Sequence, residues 1–263
     1  KEFTVTRGTF QTMVSASGSV IPIDRVEIKS KASGRIDDIP VEEGDFVRKG
    51  ELICRLDQTD VQAEVDQAKA NLEIAEAELT QAQNSYDRHV KLYEKNLIAE
   101  EVFDQAGLAL AQAKGKMVRA RISLDQTSTR LSETVVLAPI DGIILQKFVE
   151  EGQIIASGIS NVSGGSPIAD IANMMQVYIE AGIDEIDVGK IHVDQTAKVV
   201  AEAYPQATFE GKIIRIAPEA KIEQNVTLFD DSSEVENTNG KLKSGMNATA
   251  EITIALEKDV LLV

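Results

Sequence analysis

Residues able to do chemistry are thinly spread along this chain. His89 and His192 are its two histidines and Cys54 its one cysteine. Neither histidine has a second His or Cys within ligand spacing, so each reads as a partly packed or solvated side chain rather than a metal ligand. Asp184-Glu185-Ile186-Asp187 gathers three acids. It lacks the glycine and the twelfth-position glutamate of an EF-hand loop, and reads as a solvated turn. Glu42-Glu43 and Glu150-Glu151 are paired carboxylates, but adjacent acids on a turn are solvated rather than a general acid–base couple. Ser163-Gly164-Gly165-Ser166-Pro167 lacks the Gly-Lys-Ser/Thr ending that cradles phosphate. Cys54, in Ile53-Cys54-Arg55-Leu56, has no histidine nearby and reads as a small buried hydrophobe. No catalytic, cofactor or metal set emerges, and the reading is non-enzymatic. Arg88 and Leu92 remain. At i and i+4 they share a helix face. Alone they also read as an ordinary surface pair. Their alternative chemistry is recognition: a guanidinium for a partner's carbonyls or acids, beside apolar surface for a helix contact.

The element carrying that pair is legible from composition. Residues 58–131 contain no proline and are dense in Ala, Gln, Glu and Leu, which is helix composition. Apolar residues recur with a seven-residue period through Val61, Val65, Ala68, Leu72, Ala75 and Leu79, and on through Ala82, Tyr86, His89 and Tyr93. A second series runs from Phe103, Ala106, Leu110, Ala113 and Met117 to Ala120, Leu124, Thr127 and Leu131. Lys95-Asn96-Leu97-Ile98-Ala99 breaks the pattern, with Asn96 as a helix stop. A strict heptad means a narrow seam. Two such helices around a short break predict an antiparallel coiled-coil hairpin that projects roughly 50 Å.

The flanks are strand-like, rich in Val, Ile, Thr and Gly with short alternations. They repeat one another. Gly34 and Gly44 stand ten positions apart, as do Gly142 and Gly152, and the tetrad Val41-Glu42-Glu43-Gly44 recurs as Val149-Glu150-Glu151-Gly152, 108 positions later. Leu52 to Asp57 and Ile168 to Asn173 close the two halves. Such a duplication predicts a small β-sandwich with a pseudo-two-fold axis, the hairpin emerging between its halves. Strand patterns from Val177 to Ala255 predict a barrel or second sandwich.

Charge excludes several functions. The chain carries 43 acidic and 27 basic side chains, a formal charge of −16. With no Lys/Arg block there is no footprint for nucleic acid, and no attraction to anionic lipid. A single cysteine forms no internal disulfide. No stretch reaches the roughly 18 apolar residues of a membrane span. The start at Lys1 and the apolar run at Val263 read as trimmed ends, with any anchor outside the sequence.

With these features in place, the chain resembles the periplasmic adaptors, or membrane fusion proteins (HlyD-like), of tripartite efflux pumps. The resemblance is carried by Ala32-Ser33-Gly34-Arg35-Ile36, Val41-Glu42-Glu43-Gly44-Asp45-Phe46-Val47, Lys49-Gly50-Glu51-Leu52, Leu56-Asp57 and the mirrored Ala138-Pro139-Ile140-Asp141-Gly142. Leu242-Lys243-Ser244-Gly245-Met246 matches a late signature, with Ser244 where the family has Pro. Ala203-Tyr204-Pro205, Phe209-Glu210-Gly211-Lys212 and Gln224-Asn225-Val226 look most like the macrolide-type adaptors that serve ABC transporters.

The resemblance implies an elongated α+β multidomain chain. Residues 26–57 and 132–173 would form a lipoyl-like sandwich, 58–131 its inserted hairpin, and 9–25 with 174–256 a β-barrel. Residues 1–8 and 257–263 would be remnants of a membrane-proximal domain. It also implies a periplasmic protein anchored to the inner membrane through a segment before Lys1, and self-association into a hexamer. Its partners would be an inner-membrane transporter, ABC in preference to RND, and a TolC-type outer-membrane channel. The other readings are an RND (proton-driven) pump adaptor, a type I protein secretion adaptor, a carrier-domain enzyme subunit and a plain coiled-coil scaffold. The carrier reading needs a modified Lys on the turn that the hairpin here replaces. Adaptors that dock such channels share Arg-x3-Leu-x6-Ser at the tip. Arg88 and Leu92 match, whereas Ala99 stands where that pattern has Ser, so the hydroxyl that would cap the second helix is missing. Asp230-Asp231-Ser232-Ser233, four strand-poor residues, argue against a strand where the family has one.

Overall fold

The computed structural model describes residues 6–158, 165–223 and 226–262. In chain order its elements are β1 (Thr6–Lys29), β2 (Gly34–Asp38), β3 (Phe46–Val47), β4 (Leu52–Leu56), α1 (Thr59–Glu94), α2 (Glu100–Glu133), β5 (Val135–Leu137), β6 (Gly142–Lys147), β7 (Ile154–Ile155), β8 (Pro167–Asp184), α3 (Glu185–Val188), β9 (Thr196–Ala201), β10 (Thr208–Glu223), β11 (Val226–Glu236) and β12 (Asn247–Leu262).

The duplicated motifs fold into two facing four-stranded sheets. One is ordered β5-β4-β2-β7; the other joins the inner ends of β1 and β8 to β6 and β3, in the order β1-β8-β6-β3. Exchanging the two halves of the repeat turns one order into the other. The register repeats as well. Gly34 pairs with Ile155 and Arg35 with Ile154, and 108 residues on Gly142 pairs with Val47 and Ile143 with Phe46. Gly44 donates its amide to the Ile144 carbonyl at 2.8 Å, and Gly152 donates to Ile36 at 2.9 Å. Both glycines take positive φ, 95° and 81°, which only glycine adopts without steric cost. The core is equally mirrored: Ile36, Val41 and Val47 face Ile144, Val149 and Ile155, all buried.

β1, β12, β9, β10, β11 and β8 close into a six-stranded antiparallel barrel. Closure is made by β1, whose residues Ser17 to Ser19 pair with β12 on one side and β8 on the other. Val20, Ile179, Ile183, Val199, Ile213 and Ile252 fill the interior. Because β1 and β8 run unbroken from barrel into sandwich, the two modules share their longest strands. Arg25 on β1 pairs with the buried Asp170 on β8 at that junction.

The expected interruption at Asp230-Asp231-Ser232-Ser233 is absent. All four lie within β11, in continuous register from Asp230–Gly182 to Ser233–Ile179. β11 is flanked by β10 and β8, so cross-strand pairing and burial override weak intrinsic preference. The result is an acid inside the barrel. Asp231 is 0 % exposed; its Oδ2 accepts from Ser233 Oγ at 3.1 Å and its Oδ1 has no partner among the described residues. Burial pushes its carboxyl up to about 6.

Thr6 pairs with Leu262, and the chain then passes in turn through barrel, sandwich and hairpin. The molecular surface is 16609 Å², against about 11,000 Å² for a compact chain of its mass. The excess reflects the projecting helices.

Candidate docking site at the hairpin tip

Both predicted apolar series form the helix contact. Every member from Val61 to His89 and from Phe103 to Leu131 is buried or half-buried, while most residues between them are exposed. Buried Ala68, Ala75 and Ala113 let the helices approach closely. Across the seam's edge, Lys116 pairs with Glu78 at 2.9 Å and Arg130 with Glu64 at 3.0 Å. At 36 and 34 residues the helices carry the tip about 50 Å from the sandwich. The root is stitched. Asp57 accepts from Thr59 Oγ1 at 2.7 Å and Arg35 at 2.9 Å, and these contacts, the Thr59 bonds first, hold its carboxyl below the usual range. Gln58 donates to Thr134 Oγ1 at 2.7 Å, joining the two helix ends.

The tip itself is a tight reversal. α1 ends in a Schellman motif: Asn96, in the left-handed region at φ 55°, donates to the Tyr93 carbonyl at 2.8 Å, and Leu97 donates to the Leu92 carbonyl at 3.0 Å. Asparagine tolerates that conformation better than most residues, which is why the helix stops there. Phe103 locks the reversal from the other helix, stacked on Tyr93 with centroids 4.8 Å apart and tilted against Tyr86 at 5.6 Å. Charge follows the helix dipoles, with Lys91 in the last turn of α1 and Glu100 and Glu101 in the first turn of α2.

Arg88 lies exposed in the second-last turn of α1, with no ion pair among the described residues. Leu92, one turn on, is 39 % exposed, and its backbone belongs to the reversal. Ala99 is the N-cap of α2 at φ −74° and ψ 153°, with no side chain to accept a bond. Arg88 and Leu92 are thus presented together, with Ala99 across the reversal. Sequence reasoning missed Leu97, the most exposed apolar residue at the apex at 66 %. Its signal was Asn96: a left-handed stop seats an apolar residue next, against the end of the helix.

The remaining candidates have structural uses. His89 donates from Nδ1 to the Ser85 carbonyl at 2.7 Å, and His192 is exposed. Asp184 caps the one-turn α3 through the Ile186 amide at 2.9 Å, and Asp187 pairs with Lys190 at 2.6 Å. Cys54 is fully buried in the sandwich; burial, then the Asp38 charge, pushes its thiol up to about 11. The glutamate pairs are more than solvated turns. Lys147 reaches Glu42 at 3.0 Å and Glu150 at 3.3 Å, tying the two repeats together, and the Glu42 bond first raises its ammonium above the usual lysine value. Of the Gly-rich motif, Ser163 and Gly164 lie outside the described residues, and Pro167 opens β8. A cleft of about 660 Å³ between sandwich and barrel is lined by Phe46, Leu145, Met174, Met175 and Lys243. Asn237, which also lines it, spends its amide on the Met174 and Leu242 carbonyls.

Comparison with known proteins bears on this architecture. The family described as "RND MFP, barrel-sandwich hybrid domain" matches residues 24–163, and "CusB-like, beta-barrel domain" matches 176–255. The nodulation protein NolF of Rhizobium meliloti (strain 1021) is 26 % identical over 259 residues, 98 % of this chain and 68 % of that protein. The macrolide export protein MacA of Escherichia coli O157:H7 is 26 % identical over 268 residues, 97 % of this chain and 71 % of that one. The crystal structure of MacA from Actinobacillus actinomycetemcomitans shares 25 % identity and a TM-score of 0.74, covering 98 % of this chain and 83 % of its own. With more than half its length matched by one family, and with hairpin, two-fold sandwich and barrel all present, the chain belongs to the membrane fusion proteins, the periplasmic adaptors of efflux.

Proposed function

We propose that this chain is a non-enzymatic adaptor joining an inner-membrane ABC exporter to a TolC-type outer-membrane channel. The observation that carries the reading is a stiff arm of about 50 Å whose far end offers an arginine with no ion pair among the described residues, beside exposed apolar residues. Arg88 and Leu92 are the docking pair; Ala99 faces the same partner without a hydroxyl. The barrel, next to the paired chain ends, faces the transporter. A segment before Lys1 anchors the protein in the inner membrane, and copies associate as a hexamer around the exported molecule's path. Relatives named macrolide export protein MacA support the macrolide-type resemblance, which is what implies the ABC assignment. The RND wording of the matched family favours a second reading, an adaptor of a proton-driven pump. Co-purification of the full-length protein with a transporter of either class decides between them. The tip is tested by the double variant Arg88→Glu/Leu92→Asp. Export should fall to the level of a deletion strain while circular dichroism stays unchanged. Export at the parental level would remove the tip from the docking site.

A further inference from the structure

The cleft of about 660 Å³ between sandwich and barrel falls within the roughly 300–1,000 Å³ of small-molecule sites, which favour such module boundaries. Its lining departs from the sandwich's own repeat. On β6, Ile144 faces the sandwich core, so Ile143 and Leu145 turn outward. Their equivalents 108 positions earlier are Arg35 and Asp37, both exposed. One outer face of the sandwich is therefore charged, whereas the matching face at the cleft is apolar. The barrel core covers part of Ile143 and Leu145, which accounts for part of that difference. It does not account for Phe46 on β3 and Met175 on β8, which line the same cleft and remain 57 % and 63 % exposed.

The cleft is also held in shape. Its barrel-side wall is the connection from β11 to β12, and that connection is pinned on both sides of Lys243. Before it, the Leu242 amide donates to Asn237 Oδ1 at 3.0 Å, and Asn237 in turn bonds the Met174 carbonyl. After it, Gly245 donates to the Val20 carbonyl and Val20 to the Met246 carbonyl, each at 2.8 Å. Three charged side chains line the space, Arg25, Glu43 and Lys243. Two are engaged: Arg25 pairs with the buried Asp170, and Glu43 accepts from the Lys147 amide at 3.0 Å. Lys243 is exposed and has no ion pair among the described residues. A preformed apolar trough with one uncommitted ammonium at its rim selects an apolar body carrying a negative group.

We propose that this cleft binds an amphiphilic organic anion, its aromatic or aliphatic body resting on Phe46, Leu145 and Met175 and its carboxylate or sulfonate meeting Lys243. The inference goes beyond the adaptor reading and stands without it. Its test is fluorescence titration of the purified chain with anilinonaphthalene sulfonate and with phenylnaphthylamine, the same rings without the sulfonate. The sulfonate dye should saturate one site per chain and bind more tightly than the neutral dye. Phe46→Ser with Met175→Ser should weaken both dyes several-fold. Lys243→Glu should weaken the sulfonate dye several-fold and leave the neutral dye unchanged, which also shows the cleft intact in that variant. Ile154→Ser, at the repeat equivalent of Phe46 and 78 % exposed on the other sheet, should change neither. Unchanged binding in the Phe46→Ser/Met175→Ser chain overturns the site, as does an equal loss in Ile154→Ser. A Lys243→Glu effect that is absent, or the same for both dyes, overturns the anionic class.

Discussion

Replacing Asp231 with asparagine should stabilise the barrel at neutral pH and leave it nearly unchanged in acid. The folded carboxyl is held near 6 rather than 3.8, because the barrel interior withholds water and the bond from Ser233, which favours the ionised form, offsets only part of that. Between those two values the folded chain keeps a proton that the unfolded chain has lost. Stability therefore falls as pH rises from about 4 to about 6, and stays at the lower level above. A displacement of about 2 units corresponds to roughly 3 kcal/mol. Asparagine keeps the shape without the buried charge, so the Asp231→Asn variant should recover most of that loss at pH 7.5. Since sandwich and barrel have separate cores, a global melt mixes them. Hydrogen exchange at β11 amides and at the barrel end of β8, Val177 to Asp184, reads the barrel, and about 3 kcal/mol appears there as roughly a hundredfold extra protection. Comparing variant with parent cancels the other carboxylates. Equal protection at pH 7.5, or a gain of the same size at pH 4, would refute the reasoning.

Ala99→Ser should stabilise the start of α2 by about 1 kcal/mol, since position 99 already has the extended backbone of an N-cap and lacks only the acceptor. Slower amide exchange at Val102 checks it. Gly34→Ala and Gly142→Ala, equivalent in the repeat, should differ sharply in urea unfolding of the sandwich. A Cβ on Gly34 would sit 3.7 Å from Leu56, an ordinary contact costing under about 1 kcal/mol, whereas on Gly142 it would lie 2.6 Å from the Ala172 carbonyl and cost roughly 2–3 kcal/mol.

Much of this architecture was legible because its signals are local or exactly repeated. The heptad series named the packed side of both helices from Val61 to His89 and from Phe103 to Leu131, while its member Tyr93 stays 39 % exposed, and Asn96 marked the reversal. The 108-residue repeat implied matched registers, which appear as Gly34–Ile155 and Gly142–Val47. Other features depend on contacts distant in sequence. Nothing near Lys147 points to Glu42, 105 residues away; the equivalent place in the first repeat is the buried Ile39. Asp230 to Ser233 were misread because strand propensity weighs a residue alone, whereas β11 is held by neighbours on both sides. For the tip, sequence named Arg88 and Leu92 but not their setting. The Tyr86–Phe103–Tyr93 cluster and the exposed Leu97 follow only once the helices are aligned in height.

The central claim is that the end of the hairpin, and not its shaft, holds the exit channel. A photoreactive amino acid at position 92 of the full-length protein, activated in intact cells, tests this directly. The account predicts a covalent adduct with an outer-membrane channel from position 92 and none from the same probe at position 74. No channel adduct from position 92, or equal adducts from both positions, would contradict it.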